Sequence, residues 1–308
     1  MLFIGCSSNV IDEDDLIEKA SLKYLNNSDE PYTGAISSKF ENGKNKIIGK
    51  YEEGKRTGKW IFFHENGSKK NEGNYLNGSK DGEWISYSKV GIIVSKGEYV
   101  SNRKNGLWKY WYNDGKKKEE VQFVDDKRSG KSMTWFSEGK QKTASNYVAG
   151  KLDGEFLEWD RDGKKISEGY YKNTKKWSGF FGDDHYLEGQ RGSLVSDFYK
   201  NGQKKSEGIL IDGMKNGNWS EWYASGDKKY TGMYKDGIKD GRWIEWNQSS
   251  EEIINGFYKN NVPWRGQFEN FFYSDGRIAQ EYNEYFENGE KKITGTFVNN
   301  KKSGEWTE

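Results

Sequence analysis

Apolar and polar positions in this chain recur with a period of 24 residues. Gly58-Lys59-Trp60, Gly82-Glu83-Trp84 and Gly106-Leu107-Trp108 are followed at the same step by Gly130-Lys131-Ser132 and Gly154-Glu155-Phe156. Tyr51, Tyr75, Tyr99, Phe123, Tyr147 and Tyr171 keep the same step. After a break the series resumes at Gly217-Asn218-Trp219 and Gly241-Arg242-Trp243, then slips by one to Gly266-Gln267-Phe268. Such a period marks a repeat architecture. Between turn residues lie short runs rich in Trp, Tyr, Phe, Ile and Thr, which is strand composition. The first turn of each unit carries Asn66-Gly67, Asp114-Gly115 or Asp162-Gly163, and the second carries Glu53-Gly54, Asn77-Gly78 or Asp236-Gly237. These residues accept the positive φ of tight hairpin turns. Each unit therefore reads as a β-hairpin. A lone hairpin buries too little to hold itself, so neighbours must share their rings. The expected fold is all-β: an elongated repeat sheet of stacked antiparallel hairpins.

Counted from the leading glycine, the second following position holds Trp60, Trp84, Trp108, Phe156, Trp219, Trp243, Phe268 and Trp306. The fifth holds Phe63, Tyr87, Trp111, Trp135, Trp159, Trp222 and Trp246, and the third often joins it with Ile61, Ile85, Met133 or Leu157. Positions three apart on a regular strand point to opposite faces. Either both faces carry an aromatic ladder, or a bulge brings the two columns to one face.

These residues carry a resemblance. The spelling of Gly73-Asn74-Tyr75-Leu76-Asn77-Gly78-Ser79-Lys80-Asp81-Gly82-Glu83-Trp84, repeated in Gly232 to Trp243, resembles the MORN repeat and most closely its bacterial variant. Pro31-Tyr32-Thr33-Gly34 is similar to the opening of bacterial members, and Lys176-Trp177-Ser178-Gly179 and Pro263-Trp264-Arg265-Gly266 are similar to degenerate copies of it. The resemblance implies a solenoid-like sheet of hairpins used for binding, in a group of bacterial chains often labelled antitoxins. It divides the chain into a lipobox-like start, tether and first hairpin (1–30), regular repeats (31–178), an irregular repeat or insert (179–216), and repeats with an extra hairpin (217–308). Leu16–Lys19 and Leu22–Leu25 are the expected strands of the first hairpin, and Ile278 to Phe286 forms an added strand-like stretch.

Leu2-Phe3-Ile4-Gly5-Cys6-Ser7 resembles a lipoprotein cleavage box, which makes Cys6 the candidate lipidation site and the membrane a partner through that anchor. Cys6 is the only cysteine, so neither a disulfide framework nor a thiolate metal site is expected. With 49 basic and 48 acidic residues the net charge is +1, so no global field draws the chain to nucleic acid. Lysine runs such as Lys116-Lys117-Lys118 precede Glu119-Glu120 and read as a balanced, solvated rim.

Ser129-Gly130-Lys131-Ser132 imitates the end of a phosphate loop, but Asp125 stands where its first glycine is needed. Asp160-Arg161-Asp162-Gly163 lacks the bidentate Glu of a calcium loop. His64 lies in a repeat column and reads as structural; His185 lies in the irregular stretch. No catalytic set, metal site or cofactor is expected. The expected function is non-catalytic: a protein-binding scaffold held by lipid at the bacterial cell envelope. The alternative is a carbohydrate or cell-wall module whose open aromatic column stacks on glycan. The period breaks at Trp177 to Arg191, where Trp177, Phe180, Phe181, His185 and Tyr186 beside charged residues make the candidate interface. The bland counterpart is that these rings plug a degenerate repeat.

Overall fold

The computed structural model describes residues 10–287, 289–298 and 301–307; Cys6 lies outside them. Among the described residues the regular structure is β throughout, apart from one short 3-10 turn at Glu13–Asp15. The chain divides into two compact units, Met1–Lys176 and Trp177–Glu308.

The first unit opens on the two-stranded hairpin Leu16–Lys19 and Leu22–Leu25. An antiparallel sheet follows in strict sequence order from Gly34–Lys39 to Lys165–Lys172, each strand pairing with the next. The second unit is built the same way, from Lys175–Phe181 through Lys301–Thr307. The stretch Arg277–Tyr285 is a strand, as the sequence suggests. Gln190–Phe198 and Lys204–Ile211 pair as a hairpin of ordinary length, so the break in period is confined to the short strand Asp184–Leu187 before them. A second short strand, Phe271–Ser274, accounts for the added strand, and the one-residue slip falls just before it, at Trp264, the extra residue between Pro263 and Arg265 in Val262–Phe268.

The two turns of a repeat differ. The second is a two-residue turn with positive φ at both positions, as at Asn77 and Gly78 (49° and 85°), matching the twist of the strands it joins. In the first, only the glycine is left-handed: Gly67 has φ 83°, its N–H donates to the His64 carbonyl, and the His64 N–H donates to the Ser68 carbonyl. Asn66 serves otherwise. Its Oδ1 accepts from the Ser68 N–H at 3.0 Å, and its Nδ2 donates to the Lys89 carbonyl of the next hairpin at 2.7 Å.

Register shifts recur at two places. One falls on the returning strand: Trp111 pairs with Lys117 and Tyr110 with Glu119, leaving Lys118 as the extra residue. The other falls at the leading glycine: Gly73 pairs with Trp84 and Asn74 with Asp81, leaving Gly82 and Glu83 unopposed. Gly82 has φ +76°, the left-handed backbone such a bulge needs, which explains the glycine column. Since Trp108 to Trp111 contains no bulge of its own, the second and fifth positions face opposite sides. Of the two arrangements the sequence leaves open, the sheet carries an aromatic ladder on each face.

One ladder is the core. Tyr51, Trp60, Tyr75, Trp84, Tyr99 and Trp108 pack edge to face in succession, with ring centroids 5.0–6.2 Å apart. Trp60 is fully buried, and Trp84 and Trp108 nearly so. In the second unit Trp219, Tyr234, Trp243, Tyr258, Phe268 and Tyr273 do the same. Each Trp ring lies flat on a glycine eleven residues earlier, with Gly73 beneath Trp84 and Gly232 beneath Trp243. A Cβ on Gly73 would stand 2.3 Å from the ring. Where the ring is replaced by Ser132, the cross-strand partner is Val121, itself fully buried. Small and large exchange places across the strand pair, and volume is kept.

Candidate binding surface

The aromatic core is roofed by cations. Two residues before the leading glycine stand Arg56, Lys80, Lys104 and Arg128 in the first unit, until Leu152 takes the place before Gly154, and Lys215 and Lys239 in the second. Arg56 lies over Trp60 at 4.5 Å, Lys80 over Trp84 at 4.3 Å and Lys104 over Trp108 at 4.4 Å. Lys215 and Lys239 repeat this over Trp219 and Trp243 at 4.5 and 4.0 Å. An ammonium on an indole face gains ~0.5–2 kcal/mol, the larger figure when desolvated.

The backbone at these positions is clamped by the hairpin that follows. The Lys80 N–H donates to Asn102 Oδ1 at 2.7 Å, while the Asn102 N–H donates to the Lys80 carbonyl at 2.9 Å. Asp126 holds Lys104 and Asn261 holds Lys239 in the same two-point way. The clamping residues are the left-handed ones of the second turn. The cation column therefore has a defined position on the sheet.

Its charges are unevenly compensated. Glu13, from the 3-10 turn, accepts a hydrogen bond from the Tyr51 hydroxyl at 2.8 Å and lies 3.4 Å from Arg56 Nη2. Burial raises the Tyr51 hydroxyl to about 12, with Arg56 opposing the shift and Glu13 adding to it. Arg128 is paired with Glu119. Neither Lys80 nor Lys104 forms an ion pair among the described residues; Lys104 donates instead to the Tyr110 hydroxyl at 2.8 Å. Burial lowers the Lys80 pKa, and the charges of Arg56 and Lys104 lower it further.

The opposite face carries the fifth-position column. Phe63, Tyr87, Trp111, Trp135, Trp159, Trp222 and Trp246 are all half-buried, neither sealed nor open. The lysine runs beside them form the balanced rim expected, through repeated pairs such as Lys69–Glu72, Lys117–Glu120, Lys165–Glu168 and Lys204–Glu207 at 2.8–3.1 Å. A groove of about 500 Å³ lies between Met133, Ala144, Leu157 and Tyr170 on this face.

Among the described acids, Glu72 is held by several partners at once. Tyr87 donates to it at 2.5 Å, Lys59 and Lys69 pair with it, and together they hold its pKa down at about 2 against the opposing effect of burial. A depressed carboxylate contributes stability that is complete above its unfolded value, near 4.5, and is lost as pH falls through 2. After discounting for screening, this amounts to on the order of 2 kcal/mol. Thermal melts between pH 5 and 2 should show Glu72→Gln with a shallower acid loss than the parent chain; equal slopes would remove Glu72 from the account.

His64 is structural, as its column implies. Its Nε2 is 3.1 Å from the Tyr87 carbonyl, in the place where Tyr112 and Tyr223 donate to the Trp135 and Trp246 carbonyls.

The candidate interface is a tight hairpin. Gly179 pairs with Tyr186, Phe180 with His185 and Phe181 with Asp184. Phe181 is buried and meets Tyr186 edge to face at 5.7 Å; Phe180 lies 6.3 Å from the His185 ring. Trp177 is 36% exposed and lies against Gly189, 3.2 Å from where a Cβ would stand. Val262 to Ile278 repeats this construction: Trp264 lies against Gly276, Gly266 pairs with Tyr273, and Phe268 meets Tyr273 edge to face. Two copies of one shortened hairpin thus continue the ring packing of the regular repeats, with Trp177 exposed and Phe180 half-buried.

The cation column was not singled out from the sequence. Its signal is present in Arg56-Thr57-Gly58, Lys80-Asp81-Gly82 and Lys104-Asn105-Gly106, hidden among the 49 basic residues.

No curated protein sequence matches the chain. Similar solved structures include the crystal structures of TcdB2-TccC3-Cdc42 and of TcdB2-TccC3 without hypervariable C-terminal region, both at 9% identity over 86% of this chain. The chain spans only 18% and 15% of their lengths, and TM-scores of 0.18 and 0.20 carry no argument about fold or function. Four segments, residues 56–77, 104–125, 152–173 and 215–236, match the MORN repeat variant. The first three are spaced by two hairpins, and the hairpins between them share their geometry. The matched segments are similar to MORN repeat variant units, and together they cover under a third of the chain.

Proposed function

We propose that this chain is a non-catalytic scaffold that binds another protein at the bacterial cell envelope, tethered by lipid at Cys6. The observation that carries the protein-binding reading is the state of the rings. The second-position column is consumed by ring and cation packing, and the fifth-position column is half-buried, which favours a protein surface over sugar stacking on open rings. Trp177 and Phe180, on the shortened hairpin, are proposed contributors to the contact. Capture from native membranes tests the reading: the full chain should retain a partner, and Phe180→Ala should weaken capture while melting within a few degrees of the parent. Capture of glycan fragments alone would displace the scaffold reading.

The tether rests on Gly5-Cys6-Ser7 following Leu2-Phe3-Ile4. Expressed from its natural upstream sequence, the chain should incorporate an alkyne palmitate analogue and sediment with membranes. Cys6→Ser should abolish both. A wild-type chain that is unlabelled and soluble would remove the anchor from the proposal.

A further inference from the structure

We propose that Lys80 and Lys104 form a docking strip for an acidic segment of the partner protein, which lays its carboxylates there as Glu13 lies on Tyr51 and Arg56. This rests on the scaffold reading and names the chemistry of what it binds.

The first hairpin already displays the occupied form of the site. Glu13 belongs to the acidic run Asp12 to Asp15, outside the hairpin series. Its carboxylate crosses to the sheet, accepts from Tyr51 and meets Arg56, and its side chain is only 13% exposed. Tyr75 with Lys80 and Tyr99 with Lys104 are the same pair one and two hairpins further on. The ring floor is the same, with Lys80 over Trp84 and Tyr99, and Lys104 over Trp108 and Phe123. The carboxylate is what differs: the cations at either end, Arg56 and Arg128, are paired, and the two lysines between them are not paired among the described residues.

Both ammoniums are half-buried and unpaired among the described residues; burial lowers the Lys80 pKa, and the neighbouring charges of Arg56 and Lys104 add to that cost. A carboxylate placed on each would relieve it. Neighbouring strands are spaced ~4.8 Å, so equivalent sites one hairpin apart are roughly 10 Å from each other. A partner chain in the polyproline II conformation rises ~3.1 Å per residue and returns to the same face every three residues, so the fitting partner carries acids at every third position. Lying flat on the rings, these ammoniums suit a thin chain. A membrane surface would meet the exposed rim lysines first.

The test uses the full chain and a fluorescein-labelled peptide of about twelve residues repeating Glu-Gly-Ser, with Gln-Gly-Ser as its neutral counterpart, read by anisotropy at low salt. The parent chain should bind the acidic peptide and not the neutral one. Lys80→Gln with Lys104→Gln should weaken binding about tenfold, whereas the exposed pair Lys70→Gln with Lys200→Gln should change it by less than about twofold. Glu13→Gln frees Tyr51 and Arg56 and should tighten binding. If the double glutamine variant loses its fold, Lys80→Arg with Lys104→Arg must keep both fold and binding. Absence of peptide binding by the parent chain overturns the proposal. So does equal binding by the Lys80/Lys104 variant, or binding to phosphatidylglycerol vesicles through these lysines without binding to the peptide. A membrane partner captured equally by the parent and the Lys80/Lys104 variant removes this site and leaves the scaffold reading standing. Peptide binding that follows the expected pattern while no partner is ever captured does the reverse.

Discussion

Valine in place of Gly73 should disrupt the sheet around Trp84, and combined with serine in place of Trp84 it should cost less than the two changes made separately. The backbone of Gly73 is the floor of the indole, with a Cβ at that position 2.3–2.5 Å from three ring atoms. The neighbour is a rigid ring already held by Tyr75, Tyr99 and Lys80, so it cannot swing aside. Overpacking of this kind costs ~1–3 kcal/mol, and the close contact puts Gly73→Val at the upper end. Trp84→Ser alone leaves a cavity costing ~3–5 kcal/mol. Together the two changes recreate the arrangement found at Val121 and Ser132, both sealed in the core. The double variant should therefore be more stable than the sum of the singles by about 2 kcal/mol, measured as a coupling energy from chemical denaturation. Additive losses would mean that Val121 and Ser132 are not a compensated pair.

Trp60→Ala should be the most damaging truncation in the first unit. Trp60 has no exposed surface, meets Tyr51 and Tyr75 edge to face, stacks on Phe62, and carries Arg56 on its ring. Removing it costs about 3–5 kcal/mol from lost burial and the residual cavity. The damage also reaches Glu13, because Arg56 and Tyr51 both lean on this ring and both hold that carboxylate. In a repeat sheet each hairpin is stabilised mainly by its neighbours, so the loss should be local. Amide hydrogen exchange should accelerate most across Asn45–Glu52, Lys55–Phe63 and Lys69–Leu76, and much less around Trp243. Uniform acceleration through both units would refute that picture of independent neighbours.

Hairpins, their turns and the buried Trp column are legible in the sequence because each rests on local chemistry repeated many times. Asn77-Gly78 can only be a left-handed turn, and a 24-residue step of Trp60, Trp84 and Trp108 can only be a shared column. The same locality made His64 readable as structural and the lysine–glutamate rim readable as balanced. Trp177 to Arg191 was legible as a break in period, but its identity as a shortened hairpin copied at Val262 to Ile278 emerged only from strand pairing.

Register decided the rest. The bulges at Lys118 and Gly82 determine which residues stand opposite one another, and no residue type announces the first of them. Only with that register does Gly73 fall beneath Trp84, Val121 opposite Ser132, and Lys80 above an indole while Asn102 clamps its backbone. The carboxylate of Glu13 on Tyr51 and Arg56 joins residues 38 and 43 positions apart. The sequence by itself determined the unit and its repetition, because turn and strand preferences act over a few residues. Only the tertiary structure decided which charges are compensated, because compensation depends on distances between strands.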